Sequence, residues 1–206
     1  MLEVIDYKKN YAGHAVLNVS SLQLQPGVYW IRGENGSGKT TFLKSVAGLI
    51  PFEGTIRWNK IDLRKQRTAY VKRVSWAEAE PLYPSFLTGN DLIRFYCSTK
   101  GGTKEMRERF TRRLGVDAYC VDKLQTYSSG MIKKLSLVLS FLGNPELILL
   151  DEPFITLDEE AITQLSRLIS ELSAKGVAFC ISSHQELKLN LPYIILHVHS
   201  KTIERQ

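Results

Sequence analysis

The chain has 206 residues, 44% of them hydrophobic and 23% charged, with a formal net charge of +6. These values suit one globular domain, or one core with a subdomain, large enough to bury a substantial interior. The most apolar window, residues 135–150, is interrupted by Gly143, Asn144, Pro145 and Glu146, which excludes a membrane span there.

The modest positive charge is compatible with nucleic acid, with phosphate ligands or with an anionic membrane surface. The basic stretch Arg57, Lys60, Arg64, Lys65, Arg67, Lys72 and Arg73 lacks interleaved stacking aromatics. It reads as a solvated face rather than a nucleic-acid groove. Cys97, Cys120 and Cys180 lie far apart without a C-x-x-C pair and read as reduced thiols of a cytosolic protein. The opening MLEVIDYKKN has no basic segment followed by an apolar run, so no signal peptide is expected.

Residues 2–7 and 16–24 read as strands, with Tyr11 in the loop between them. That tyrosine either stacks on a base or caps the sheet. Pro26-Gly27 turns the chain into a third strand, residues 28–31. Next come Gly33, Glu34, Asn35, Gly36, Ser37, Gly38, Lys39, Thr40 and Thr41, opening into a helical stretch over 42–49. A glycine-rich loop between strand and helix turns its backbone N–H groups into an anion-binding nest, and the helix points its positive end at the same anion. Lys39 can reach β- and γ-phosphates, and the Thr40 hydroxyl is placed to ligate Mg²⁺. This stretch is a nucleotide-phosphate site.

Gly48 and Pro51 close that helix, and residues 54–58 form another strand. Early strands separated by turns imply an antiparallel sheet packed on the nucleotide core. After a short strand at 73–76 and the proline-bearing loop 77–85, Thr88 and Asp91 form a capping box for a helix over 91–98. Met106, Phe110 and Leu114 mark a second amphipathic helix over 104–114, so residues 88–142 are a mostly helical insertion. Tyr127-Ser-Ser-Gly-Met131 then runs into a helix with a broad apolar face. Ser128 and Gly130 thus sit at a helix N-terminus, either as a plain cap or as a second anion-ready position.

Residues 147–150, L-I-L-L, read as a fully buried parallel strand that delivers Asp151 and Glu152 at its carboxyl end, where open α/β sheets put their ligands. After a phosphate loop, that Asp helps to hold Mg²⁺. A helix over 158–174 and a buried strand over 177–181 follow, with His184 just beyond, in position for a γ-phosphate contact. His197 and His199 could share one strand face, but without a carboxylate or cysteine partner they do not read as a metal site. There is no internal repeat and no low-complexity segment.

Together these pieces resemble the nucleotide-binding subunit of ATP-binding cassette (ABC) transporters, over roughly residues 2–204 and in family order. Residues 33–41 look like Walker A, and residues 147–151 with Glu152 like Walker B plus the catalytic glutamate. Residues 127–131 are similar to the L-S-G-G-Q signature, and residues 155–158 to the D-loop. His184 falls at the switch histidine and Tyr11 at the adenine-stacking aromatic. The combination is far more specific than the phosphate loop alone. Tyr127, Ser129 and Met131 depart from the family's Leu, Gly and Gln, whereas Ser128 and Gly130 are kept. Glu78, with Ala79 as the rival match, stands where the family's Q-loop offers a glutamine to Mg²⁺ and to the membrane partner.

The resemblance implies an α/β fold: a P-loop NTPase core with a mostly parallel sheet, an N-terminal antiparallel β-subdomain and a helical signature subdomain. The core would take residues 1–76 and 143–206 of a single domain, and the Q-loop and helical part residues 77–142. No extension beyond that core, and so no regulatory domain, is expected. It further implies ATP and Mg²⁺ as ligands and a head-to-tail homodimer or heterodimer. A separate transmembrane permease would hold the subunit on the cytoplasmic face of the membrane; no nucleic-acid partner is expected. Residues 33–41, Ser128, Gly130 and Tyr11 would bind nucleotide; Thr40, Asp151 and Glu78 would face Mg²⁺; Glu152, His184 and Lys39 would act in hydrolysis. The Y-S-S-G-M form and the short helical part lean to exporter ATPases, including the haem-exporter type. A soluble ABC-type regulator of ribosomes or DNA is the alternative, but such chains usually carry two cassettes or a long coiled-coil insertion. A binding module with little hydrolysis fits poorly with Glu152, and a small-molecule kinase is excluded by the signature and His184.

Overall fold

A computed structural model describes residues 1–206 apart from residue 188. Strands β1 (Leu2–Tyr11) and β2 (His14–Leu24) pair antiparallel around Ala12 and Gly13, whose φ angles of 46° and 81° suit a two-residue hairpin turn. Tyr11 is therefore not in a loop: it ends β1 opposite His14, because so tight a turn lets pairing run to the tip. Strand β3 (Val28–Arg32) leads through the glycine-rich loop to helix α1 (Lys39–Val46), which starts and stops a turn earlier than the sequence suggests.

Strands β4 (Glu53–Trp58) and β5 (Ile61–Asp62) follow, then a helix that the sequence reading missed, α2 (Arg67–Arg73). This helix buries only Tyr70, whose hydroxyl donates to the Val46 carbonyl at 2.8 Å, so one aromatic carries the whole apolar signal. Lys60, Arg64, Lys65, Arg67 and Lys72 of the basic stretch are solvent-exposed, while Arg73 pairs with Glu146 at 2.9 Å.

Strand β6 (Val74–Ala77) leads into helix α3 (Gly89–Lys100). The Thr88–Asp91 capping box is formed with Thr88 as N-cap, which is why the helix begins two residues before Asp91. Helices α4 (Lys104–Arg113) and α5 (Ser129–Phe141) complete the helical insertion. Then come β7 (Leu147–Asp151), α6 (Glu159–Ser173), β8 (Ala178–Ser182), β9 (Ile194–His199) and β10 (Thr202–Arg205).

One sheet has the order β2-β1-β4-β5 with antiparallel pairing throughout. The other has the order β10-β9-β3-β8-β7-β6 and is parallel except for the β9–β10 hairpin at its edge. Side-chain alternation splits the second sheet between two cores. Tyr29, Ile31, Leu147, Leu149 and Cys180 face Phe42, Leu43 and Val46 of α1 and, beyond them, the antiparallel sheet. Val28, Trp30, Ile148, Leu150 and Ile181 face α5, α6 and the helical insertion. Helix α1 is thus gripped between two sheets, and the carboxyl ends of β3, β8 and β7 meet at its N-terminus. Leu149→Ala should cost about 2–5 kcal/mol, because its side chain is fully buried between strands and α1; urea unfolding of the variant measures it.

Candidate functional site

The site grows from the loop between β3 and α1. Gly38 is the N-cap of α1 at φ 107°, a left-handed angle open to glycine, and no side chain caps the first turn, so the helix presents bare N–H groups. Lys39 is buried, and its ammonium folds back to donate to the carbonyls of Gly33 at 2.8 Å and Glu34 at 3.0 Å. Burial pushes the Lys39 pKa down, opposed by the carboxylates of Glu152 and Asp151. The Ser37 hydroxyl is buried with no hydrogen-bond partner among the described residues, an orphan donor within the loop.

Strand β7 brings Asp151 to the same place. Its carboxylate accepts from the Thr40 hydroxyl, at 2.9 and 3.2 Å, and from the Ser182 hydroxyl at the end of β8. A hydroxyl and a carboxylate this close form a hard-oxygen donor pair of the kind that Mg²⁺ takes, so the residues present fit that ion. Glu152 follows with φ 45°, a conformation costly for a residue with a Cβ. Its N–H donates to both the carbonyl (3.2 Å) and the hydroxyl (3.1 Å) of Ser182. One carboxylate oxygen accepts from the His184 N–H at 3.4 Å. The other, Oε1, lies 3.2 Å from His184 Nε2 but outside hydrogen-bonding geometry, and is buried without a partner among the described residues.

A cavity of about 290 Å³ opens over these groups, lined by Asn35, Gly36, Gly38, Lys39, Thr40, Thr41, Glu152 and His184. A larger space of about 780 Å³ continues past Gly33, Glu34 and Ser37 towards His197 and His199. Those two histidines are occupied locally, His197 with Gln206 at 2.9 Å and His199 with Glu204 at 3.2 Å.

The other residues singled out in the sequence lie outside the smaller cavity. The Tyr11 ring is half exposed, with the Lys9 ammonium 4.4 Å from its centroid. Glu78 is ion-paired with Lys44 of α1. Ser128 caps α5 by accepting the Met131 N–H at 3.2 Å. Gly130 passes so close to residue 156 that a Cβ there would lie 2.9 Å from the Thr156 carbonyl. Ser182, Lys44 and the buried Lys133 went unnoticed in the sequence. Only Ser182 carried a signal, as a hydroxyl ending an apolar strand just before Ser183-His184.

A family model described as ABC transporter matches residues 17–155. The chain belongs to the ABC transporter family. It is an ATP-binding subunit that hydrolyses ATP to power membrane transport. Among its ABC relatives, a cytochrome c biogenesis ATP-binding export protein of Legionella pneumophila, CcmA, is 32% identical over 195 residues, covering 92% of this chain and 96% of that protein. A lantibiotic transport ATP-binding protein of Streptococcus pyogenes, SrtF, is 30% identical over 192 residues, 89% of this chain and 80% of that one. A solved ATP-binding subunit of an ABC transporter superposes with a TM-score of 0.89 at 25% identity, over all of this chain and 89% of that one.

The left-handed backbone at Glu152 has a measurable consequence. Glu152→Gly should be more stable than Glu152→Ala by up to about 1 kcal/mol, since the two differ by the Cβ that the left-handed region disfavours, less the unfolded-state entropy that glycine adds. A glycine variant clearly less stable than the alanine one in urea unfolding would mean that residue 152 stores no such strain.

Proposed function

We propose that two ATPase subunits associate head to tail, each ATP lying between the phosphate loop of one and the 128–130 helix start of the other, and that the pair drives a separate membrane-spanning permease. The observation that carries this reading is the make-up of the 290 Å³ cavity. Lys39, Thr40, Glu152 and His184 line it and Asp151 backs it, whereas the Ser128–Gly130 segment of the same chain does not, leaving one side for a second copy.

In this mechanism the loop from Gly33 to Thr41, including Glu34, Asn35 and Ser37, wraps the phosphates with its N–H groups, and Lys39 adds a mobile cation. Tyr11 stacks on the adenine. Thr40 and Asp151 would hold Mg²⁺, and that ion would supply neutralising charge for the β- and γ-phosphates. Glu78, ion-paired with Lys44, would be a further carboxylate for the ion once freed of that partner. Glu152, with Oε1 buried and without a partner among the described residues, accepts the proton of the attacking water, while His184 steadies the γ-phosphate. The partner's Ser128 and Gly130 complete the cage at a helix N-terminus.

Among the described residues, no helix is long and apolar enough to cross a membrane. One surface feature supports a permease partner. The stretch after Glu78 exposes large apolar side chains: Leu82 is 91% exposed, Phe86 71% and Phe95 60%. Such a surface suits a protein partner at the cytoplasmic face of the membrane. The relative named for export supports the lean towards export.

Glu152→Gln separates binding from chemistry, because the amide keeps the shape but cannot take the proton. The variant should bind MgATP, lose about 10²–10⁴ in rate and accumulate as a dimer with ATP but not ADP. Phosphate release and size-exclusion chromatography report the two halves; normal hydrolysis moves the base elsewhere, His184 being next. Ser128→Arg tests the second surface. Binding to one subunit should persist while hydrolysis collapses, since a large cation cannot sit beside a neighbour's γ-phosphate. Turnover at the parental rate with the permease present would overturn the two-copy site.

A further inference from the structure

Lys133 lies on α5, just past the signature stretch, and is 1% exposed. Its ammonium makes three hydrogen bonds, all to main-chain carbonyls: Asp151 at 2.9 Å, Glu78 at 2.8 Å and Ala79 at 3.0 Å. Burying an ammonium is costly unless its donors are satisfied, so this geometry is held from all sides. The acceptors lie at the carboxyl ends of two neighbouring strands, Glu78 and Ala79 just past β6 and Asp151 as the last residue of β7. β6 and β7 pair in parallel up to Ala77 and Leu150, and immediately beyond that pair the chains part company. The cation sits in the fork between the strand ends.

The carbonyl of Asp151 and the N–H of Glu152 belong to one planar peptide. Lys133 holds that carbonyl, and Ser182 holds the N–H with both its carbonyl and its hydroxyl. The peptide is pinned at both edges, and the next rotatable bond is the φ of Glu152, which sits at 45°. The orientation of this peptide therefore determines where the Glu152 carboxylate points.

We propose that Lys133 is a positioning residue for Glu152: it fixes the peptide that aims the carboxylate, and it locks that peptide to residues 78–79 and to the signature helix. The inference rests on the reading of Glu152 as the water-activating base. Lys133→Met keeps the length of the stem and removes every donor. With this variant kcat should fall at least about tenfold while KM and ATP affinity stay within about twofold, as expected for a misaimed group that does not bind substrate. Hydrogen exchange without nucleotide should quicken at the Glu152 amide and across residues 78–80, but not in α1.

A kcat within about twofold of the parent, or a matching loss of ATP affinity, overturns the proposal. Where Lys133→Met does not fold, Lys133→Ala with added alkylammonium ions replaces it. Rescue of hydrolysis that depends on alkyl chain length supports the assignment, and hydrolysis indifferent to the amine overturns it. The two layers fail differently: full activity of Glu152→Gln removes the base, whereas unchanged exchange at residue 152 in Lys133→Met removes the clamp.

Discussion

A carboxylate buried to 1% exposure at the end of β7 is the constraint on which the rest depends. Taken out of water, Asp151 costs several kcal/mol unless its oxygens are met by donors. Those donors come from separate parts of the chain: the Thr40 hydroxyl from the first turn of α1 and the Ser182 hydroxyl from the end of β8. Its own main-chain carbonyl takes a third contact, from Lys133 of α5. One buried group thus draws together the nucleotide helix, a neighbouring strand and the signature helix.

This convergence needs the parallel order of the sheet. With β3, β8 and β7 side by side and running the same way, the residues after each strand emerge at one edge. The phosphate loop, Ser183-His184 and Asp151-Glu152 therefore meet despite wide separation in sequence. An antiparallel arrangement would send alternate ends to opposite edges. The antiparallel sheet does different work: it covers α1 from the other side and keeps its N-terminus fixed over the cavity.

The signature helix is tied to the core by backbone approach and charge. Lys134 pairs with Asp158 at 2.6 Å, and Gly130 lies against the Thr156 carbonyl. The helix start thus belongs structurally to the segment after β7, although it does not line the cavity of its own chain. In the proposed two-copy arrangement, a shift of this helix towards a neighbour's nucleotide would be felt at the base of its own Glu152. The Glu78 ion pair with Lys44 joins the segment after β6 to α1 through a side chain.

Much of this was legible in the sequence, for reasons of local physics. A run such as L-I-L-L before Asp151 has only one comfortable setting, a strand buried on both faces, and glycines between strand and helix leave little besides an anion nest. Thr88 and Asp91 set a helix start because the capping box is a contact across three residues. These elements and the phosphate loop were therefore readable from neighbours in sequence alone. Helix α2 was not, since only Tyr70 of its residues is buried, and its hydroxyl is satisfied by the distant Val46 carbonyl of α1. The same holds for Lys133. In sequence it is one of two lysines on an amphipathic helix, and Lys134 reaches the exposed carboxylate of Asp158 as a surface lysine would. Only folding puts the carbonyls of Glu78 and Ala79, just past β6, and of Asp151, at the end of β7, around the Lys133 ammonium, because their arrangement exists nowhere in the unfolded chain.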